Sequence, residues 1–146
     1  MKNTLLFALF ILLLASCNSQ KKYSDFDISY MRSGGYAPVY ENFLIKGNSV
    51  HYSFEGQGKK FKKDFTLTND ELSNIQNTLT ENNFRTIQED YKKVYDNIST
   101  SINVKTGPNA GSKTDASFIM AKDQKRWDNI TAVFRNLIEK YTASTK

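Results

Sequence analysis

Residues 39–71 read VYENFLIKGNSVHYSFEGQGKKFKKDFTLTNDE, and the spacing of the apolar residues changes once within them. In the first part, apolar and polar residues alternate, which is typical of strands with one buried face. Gly47-Asn48 interrupts this alternation, and a two-residue turn of such composition joins the strands of a β-hairpin. The sequence therefore predicts an antiparallel meander, with strands at 39–46, 49–55 and 59–67 and turns at 47–48 and 56–58.

The spacing changes at Thr68-Asn69-Asp70-Glu71, which matches a capping box. In this motif a Thr side chain caps a backbone N–H at the helix start, and the Glu three residues later reaches back to the backbone of the Thr. Leu72, Ile75 and Leu79 follow at helical spacing, and Asn82-Asn83 ends the pattern. We predict a helix over 69–81.

The sequence on both sides of this stretch adds further strands and a second helix. Asp123 is predicted to cap a closing helix, because an Asp directly before an apolar stripe of helical period favours a helix start. The order of strands, helix, strands and helix predicts one α+β domain, an antiparallel sheet with two amphipathic helices packed on one face. The remaining predictions are a strand at 26–32 with a turn at 33–35, an extended segment at 84–87, a strand at 99–105, a loop at 106–114, a strand at 116–121, and a closing stripe of Trp127, Ile130, Phe134, Leu137, Ile138 and Tyr141; residues 88–97 carry no assignment.

The N-terminus has the pattern of an export signal. Lys2 precedes an apolar run over 5–15, and small residues lead to Cys17. The run is too short for a bilayer, which a helix crosses with about 20 residues. Leu14-Ala15-Ser16-Cys17 resembles the bacterial lipobox, in which the cysteine is lipidated and the chain is cut just before it. We predict a lipoprotein signal peptide at 1–16, a lipidated tether at 17–24 and a single domain at 25–142.

The lipobox resemblance also implies a location in the cell envelope. In some Gram-negative lipoproteins an Asp after the cysteine keeps the protein in the inner membrane, and Asn18 stands there in this chain. Surface-exposed lipoproteins of Bacteroidota tend to carry acidic residues next, whereas this chain has Lys21 and Lys22. The resemblance therefore implies an outer-membrane lipid anchor on a domain that faces the periplasm.

The charge balance of the mature chain limits the classes of partner. Without Lys2, 19 basic and 15 acidic side chains remain, so the mature domain is mildly basic. Such a surface favours an envelope protein or an anionic glycan, and it lacks the concentrated basic face of a nucleic-acid binder. Besides the membrane that the lipid on Cys17 contacts, we expect one of these two partners and no nucleic acid.

No motif in the chain predicts catalysis, a cofactor or a metal. Cys17 is the only cysteine and His51 the only histidine, which leaves no zinc spacing and no catalytic Cys–His pair. His51 is expected to point to solvent as an isolated side chain. Residues 107–114 resemble a phosphate-binding P-loop, but Ser112 stands where the second glycine is needed, and an apolar run follows in place of a helix. We expect no enzyme activity.

Two short segments are candidates for a binding surface. One is the basic run Lys59, Lys60, Phe61, Lys62 and Lys63; the other is the glycine turn with Arg32 and Tyr36. Lysines beside an aromatic residue suit an anionic or acidic partner. Lysines also protect an edge strand from aggregation, and a tight turn needs glycines whatever its role, so both structural explanations stay open.

Short motifs along the mature chain resemble a family of uncharacterised small domains in Bacteroidota lipoproteins. They are the Arg-x-Gly-Gly turn at 32–35, Pro38-x-Tyr40, Leu67-Thr68, Phe84 and the closing amphipathic helix. The resemblance implies the fold and brings no activity with it. The expected function is non-enzymatic binding or scaffolding in the periplasm. The alternative is an inhibitor-like module that blocks an envelope hydrolase through an exposed loop, 32–37 or 106–114.

Overall fold

A computed structural model describes residues 25–92 and 96–143 of the chain. Cys17 and the predicted segments 1–16 and 17–24 lie outside these ranges. Neither helix within them is both long enough and apolar enough to cross a membrane. The elements are β1 (Ile28–Gly34), β2 (Val39–Lys46), β3 (Ser49–Gly56), β4 (Lys59–Thr66), α1 (Asn69–Glu81), a 3-10 turn (Phe84–Thr86), β5 (Ile98–Val104), β6 (Gly111–Thr114) and α2 (Gln124–Thr142).

The six strands form one antiparallel sheet in the order β4-β3-β2-β1-β5-β6. The two predicted hairpin turns are confirmed, although the second has two residues because Gly56 belongs to β3. Gln57 and Gly58 both have positive φ, at 52° and 74°, as a type I′ turn requires. This turn matches the right-handed twist of the strands that it joins, so two residues are enough to connect β3 and β4.

The core lies between the sheet and α2, which packs through aromatic rings. The ring of Phe134 stacks on that of Tyr30 at 5.0 Å and meets that of Phe43 edge-on at 6.1 Å. Ile75 and Leu79 of α1 belong to the same buried cluster. The predicted α+β domain with an antiparallel sheet is therefore confirmed. We call the sheet face with Tyr30 and Phe43 the α2 face, and the opposite one the His51 face.

The predictions between the two helices are partly wrong. Residues 84–86 form a 3-10 turn where an extended segment was predicted, and β6 occupies half of the predicted loop 106–114. The predicted strand 116–121 is reduced to a single bridge between Glu89 and Ile119. Asp115 explains the early end of β6, because its carboxylate accepts hydrogen bonds from the backbone N–H of Thr100 and from the indole of Trp127.

Asp123 lies at the N-cap of α2, but its side chain makes no capping hydrogen bond there. Its carboxylate instead accepts hydrogen bonds from the backbone N–H of Gln88 and from the guanidinium of Arg126. The Arg126 guanidinium first, and then the Gln88 N–H, holds the pKa of Asp123 below its ordinary value although burial opposes this. Arg126 also donates to the carbonyl of Asn82. This residue pair therefore ties the segment after α1 to the start of α2.

The predicted capping box is confirmed at the start of α1. The N–H of Glu71 donates to the Thr68 hydroxyl at 3.2 Å, and the Thr68 N–H donates to the Glu71 carboxylate at 2.8 Å. The same carboxylate accepts hydrogen bonds from Lys140 at 2.6 Å and Tyr141 at 2.8 Å. Glu71 thus joins the start of α1 to the end of α2.

This connection predicts a loss of stability in acid. Burial opposes the ionisation of Glu71, but the hydrogen bonds from Lys140, Thr68 and Tyr141 outweigh it and lower the pKa of Glu71 to about 2, from an ordinary 4.5. The resulting stabilisation of about 1–2 kcal/mol is present above pH 4.5 and is lost as the pH falls through the folded-state value. Urea unfolding at stepwise lower pH should show this loss, and Glu71→Gln should flatten the profile below pH 4.5. An unchanged profile in the variant would assign the acid sensitivity to other carboxylates.

Candidate binding site at the glycine turn

The turn between β1 and β2 contains two glycines whose backbone conformation other residues rarely adopt. Gly34 and Gly35 have φ of 107° and 90°, a region that L side chains rarely adopt. A Cβ on Gly34 would lie 2.6 Å from the carbonyl oxygen of Asn97, and one on Gly35 would lie 2.9 Å from the side chain of Ile98. The turn therefore packs directly on the start of β5, and a side chain at Gly34 would have to displace the backbone of Asn97.

Exposed aromatic side chains surround this turn. Tyr36 at its tip is 95% exposed, and Tyr40 on the His51 face is 55% exposed. Ile98 is also exposed and lies on the other side of the turn, because it pairs with Gly34. Large exposed side chains on a rigid backbone are the usual anchors of protein–protein contacts.

The β3–β4 turn lies beside the glycine turn and brings two lysines to the same end of the sheet. A Cβ on Gly56 would lie 3.4 Å from the carbonyl oxygen of Pro38, so the two turns are neighbours. Tyr40 pairs with Glu55 across β2 and β3, and Glu55 forms an ion pair with Lys60 at 2.9 Å. We use the name rim for Tyr36, Tyr40, Ile98, Lys59 and Lys60.

Arg32, a predicted binding residue, is paired with a buried carboxylate. Its guanidinium donates to the carboxylate of Glu41 at 3.0 Å, and Glu41 also accepts a hydrogen bond of 2.7 Å from the Tyr52 hydroxyl. Burial, and then the hydrogen bond to Glu41, raises the pKa of Tyr52 above its ordinary value. Arg32 neutralises a buried carboxylate, which gives it a structural role.

The basic run 59–63 does not form one surface. In β4 the side chains alternate, so Lys60 and Lys62 lie on the His51 face and Lys59 and Lys63 on the α2 face. Lys63 donates to the carbonyl oxygen of Tyr141 at 2.6 Å, near the end of α2. Phe61 is partly buried, with its ring 5.9 Å from that of Tyr52. Of the predicted binding residues, Tyr36, Lys59 and Lys60 lie at the same end of the sheet as Tyr40 and Ile98. The register places Tyr40 and Lys60 on the His51 face, and Lys59 and Ile98 on the α2 face.

His51 is not the isolated, exposed side chain that the sequence predicts. It retains 17% of its side-chain exposure, and its Nδ1 lies 2.6 Å from the Asp64 carboxylate. The pair lines a cavity of about 580 Å³ together with Ser49 and Thr66. The contact holds the imidazole of His51 against a carboxylate on the neighbouring strand.

The end of the sheet opposite the rim holds the start of the domain. The Asp27 carboxylate accepts hydrogen bonds from the Gly47 N–H at 2.7 Å and from Lys46 at 3.1 Å. Lys46 also binds Asp25 at 3.0 Å. The Gly47 N–H first, and then Lys46, lowers the pKa of Asp27, so the carboxylate is charged at neutral pH. These contacts clamp the chain where it enters β1, and we call Asp25, Asp27 and Lys46 the clamp.

Residues 107–114, which resemble a P-loop in sequence, do not have the structure of one. Lys113 and Thr114 belong to β6, so the helix start that a P-loop needs does not follow residues 107–110. Within 25–92 and 96–143, no three His, Cys, Asp or Glu side chains form a group that could hold a metal ion. No known family model matches the chain, and no curated protein matches it.

Proposed function

We propose that the mature chain is a lipid-anchored outer-membrane domain that faces the periplasm and binds another envelope component without catalysing a reaction. The rim is the observation that carries this proposal. A tyrosine that is almost fully exposed lies at the tip of a turn that packs on the start of β5 at its two glycines. Because the backbone is already ordered, binding there loses little conformational entropy.

The position of the rim supports an outward-facing role. The tether joins Cys17 to the clamp at one end of β1, and Gly34 ends the strand at the rim. Seven residues in a strand span about 20 Å, so the two ends of the sheet are well separated. With the lipid on Cys17, the rim is the end of the sheet that is farther from the membrane attachment.

The inhibitor-like alternative rests on the same turn. A rigid, exposed turn with a tyrosine at its tip has the form of a segment that enters the cleft of a hydrolase. The other candidate segment, 106–114, suits this role less well because half of it is strand and Asn109 is buried against Thr80, to which it donates at 2.9 Å. The alternative holds if the captured partner is a hydrolase whose rate falls when the rim binds.

Ser49, His51 and Asp64 line one cavity, which is the arrangement that would favour an enzyme. We propose no catalysis there, because His51 and Asp64 face each other directly across β3 and β4. Such a hydrogen-bonded cross-strand pair stabilises a hairpin by itself. Asp64 is also 67% exposed, whereas the carboxylate that orients a catalytic histidine is normally buried.

The experiment compares four forms of the lipoprotein in its native envelope after crosslinking and affinity capture. Tyr36→Ala/Tyr40→Ala removes the aromatic side chains of the rim, and Tyr91→Ala is the matched control because Tyr91 is 82% exposed elsewhere. Cys17→Ser tests the anchor. We expect the double variant to stay in the membrane and to lose its partner about tenfold or more.

Each variant has a distinct result that contradicts the proposal. Cys17→Ser should move to the soluble fraction, and retention in the membrane would refute lipidation at this residue. Tyr91→Ala should capture the same partner as the wild type. If the double variant captured that partner equally well, the rim would not be the binding site.

A further inference from the structure

We propose that a groove beside the 3-10 turn binds an anionic glycan. The groove consists of two cavities, of about 540 Å³ and about 420 Å³, that share Arg85 and Thr86 as lining residues. Lys113 of β6 and Tyr91 line the first cavity, and Pro108 lines the second. No residue of the rim lines either cavity. The groove is therefore separate from the rim and goes beyond the function proposed above.

Contacts with the core anchor the backbone on both sides of Arg85. Phe84 before it and Ile87 after it are fully buried. The guanidinium of Arg126 donates to the hydroxyl of Thr86 at 2.9 Å. Arg85 itself is exposed, so its side chain lies on the solvent side of a segment that the core and α2 hold.

Arg85 and Lys113 bring two positive charges to the groove that no ion pair neutralises. Neither forms an ion pair within the described residues, and the segments outside them contain no Asp or Glu. Glu89 is the one carboxylate among the described lining residues, and it accepts a hydrogen bond from the Thr114 N–H at 3.0 Å. The groove therefore has one positive charge in excess, which favours an anion.

The two carboxylates that lie next to the groove are already paired. Asp90 forms an ion pair of 2.6 Å with Lys92, and Asp123, which accepts the Gln88 N–H, forms one with Arg126. These pairs leave Arg85 and Lys113 available, because each neighbouring carboxylate has a cation of its own.

The uncharged lining favours a glycan over an acidic peptide. Thr80, Thr86 and Gln88 supply hydroxyl and amide groups that both donate and accept hydrogen bonds, as sugar hydroxyls require. Peptides bind mainly through apolar side chains that fill pockets. Two of the apolar lining residues, Phe84 and Ile87, are fully buried and offer no surface for this.

Tyr91 supplies an aromatic ring at one end of the groove. It is 82% exposed and has φ of 57°, a conformation that few residues with a Cβ adopt and that is concentrated in binding and catalytic sites. The backbone before it is anchored, because the Asp90 N–H donates to the carbonyl oxygen of Phe118 at 3.0 Å. An exposed ring offers a flat apolar face against which a sugar ring can pack.

The test measures binding of tetrasaccharides to the mature lipoprotein in detergent by isothermal titration calorimetry at neutral pH. The charged probes are tetragalacturonate, maltotetraose phosphate and maltotetraose sulfate, and plain maltotetraose is the neutral control. Arg85→Gln/Lys113→Gln removes the two charges of the groove, and Lys59→Gln/Lys60→Gln removes the same number from β4. We expect a charged probe to bind the groove variant about tenfold more weakly than the wild type, and the β4 variant equally well.

A second comparison needs no variant. A tetrapeptide of glutamate should bind the wild type about tenfold more weakly than the best charged tetrasaccharide. Equal binding of this peptide would show that the groove recognises charge alone and would overturn the choice of a glycan. Absence of binding by all three charged probes, equal binding of plain maltotetraose, or an unchanged affinity in the groove variant would overturn the proposal.

The groove and the rim can be tested independently. Tyr91→Ala should weaken binding of the charged tetrasaccharide about threefold, and it should still capture the partner of the rim. Tyr36→Ala/Tyr40→Ala should bind the tetrasaccharide like the wild type. Failure at the rim and failure at the groove therefore remain distinguishable.

Discussion

Replacing Phe134 with alanine is expected to lower the free energy of unfolding by about 4 kcal/mol. Phe134 is almost fully buried, and its ring contacts the rings of Tyr30 and Phe43. The substitution removes the apolar surface of the ring and leaves a cavity between α2 and the sheet. Both effects lower stability, because the side chains around the cavity close it only in part. Urea unfolding of the mature protein measures the change.

Asn136→Ala provides the matched control on the same helix. Asn136 is exposed, so its replacement removes no core contact and should change stability by less than about 0.5 kcal/mol. If Phe134→Ala also cost less than about 1 kcal/mol, the packing of α2 on the sheet described above would be wrong.

The second large effect is expected for Gly34→Ala, at about 3 kcal/mol. Two costs add at this position. The backbone has φ of 107°, which strains a residue with a Cβ, and that Cβ would lie 2.6 Å from the carbonyl oxygen of Asn97. Relief of the contact requires the glycine turn to move away from β5. Thermal unfolding should show the loss, and partner capture should weaken because Tyr36 moves with the turn.

Gly58→Ala separates these two costs. Gly58 has φ of 74°, but no atom lies within 4 Å of the position of its Cβ. Its replacement should therefore cost only the backbone strain, about 1 kcal/mol. Equal losses in the two variants would show that the contact between the glycine turn and Asn97 is absent.

The elements that the sequence predicts well are those defined by local chemistry. The β2–β3 hairpin needs only a Gly-Asn turn between alternating runs, and α1 needs only the capping box and an apolar stripe. The helix appears with the predicted bounds, and the hairpin differs from them only in that β3 extends to Gly56, since the residues that specify both elements are adjacent in the chain. The stripe of α2 is equally clear because its apolar residues recur at helical spacing and are buried.

The region between the helices follows tertiary contacts that leave no local signal. β6 consists of Gly111, Ser112, Lys113 and Thr114, and this short outer strand carries no apolar alternation. It forms because β5 offers a partner edge. Residues 116–121 have more apolar character, but Asp115 turns the chain away by bonding to Thr100 and Trp127.

The candidate site was predictable only in part, because it also depends on contacts between residues that are distant in the chain. Tyr36 follows from the glycine turn, but Tyr40 and Ile98 join it through strand register, which the sequence alone does not fix. The pairs Arg32–Glu41 and His51–Asp64 each join residues on neighbouring strands. The sequence gives no sign that the members of these pairs lie beside each other. It therefore predicts a binding-surface position for Arg32 and a solvent-facing position for His51.

The clamp gives the sheet a mechanical property. If the lipid on Cys17 holds the chain while a partner pulls on the rim, the force enters β1 at the clamp and runs along the strand. β1 lies inside the sheet, with β2 on one side and β5 on the other. Because both points of load lie on the same strand, a pull along its axis would pass through the backbone of β1, which is already extended between its two neighbours. The tethered domain would then act as a tension-bearing link between the membrane and what it holds.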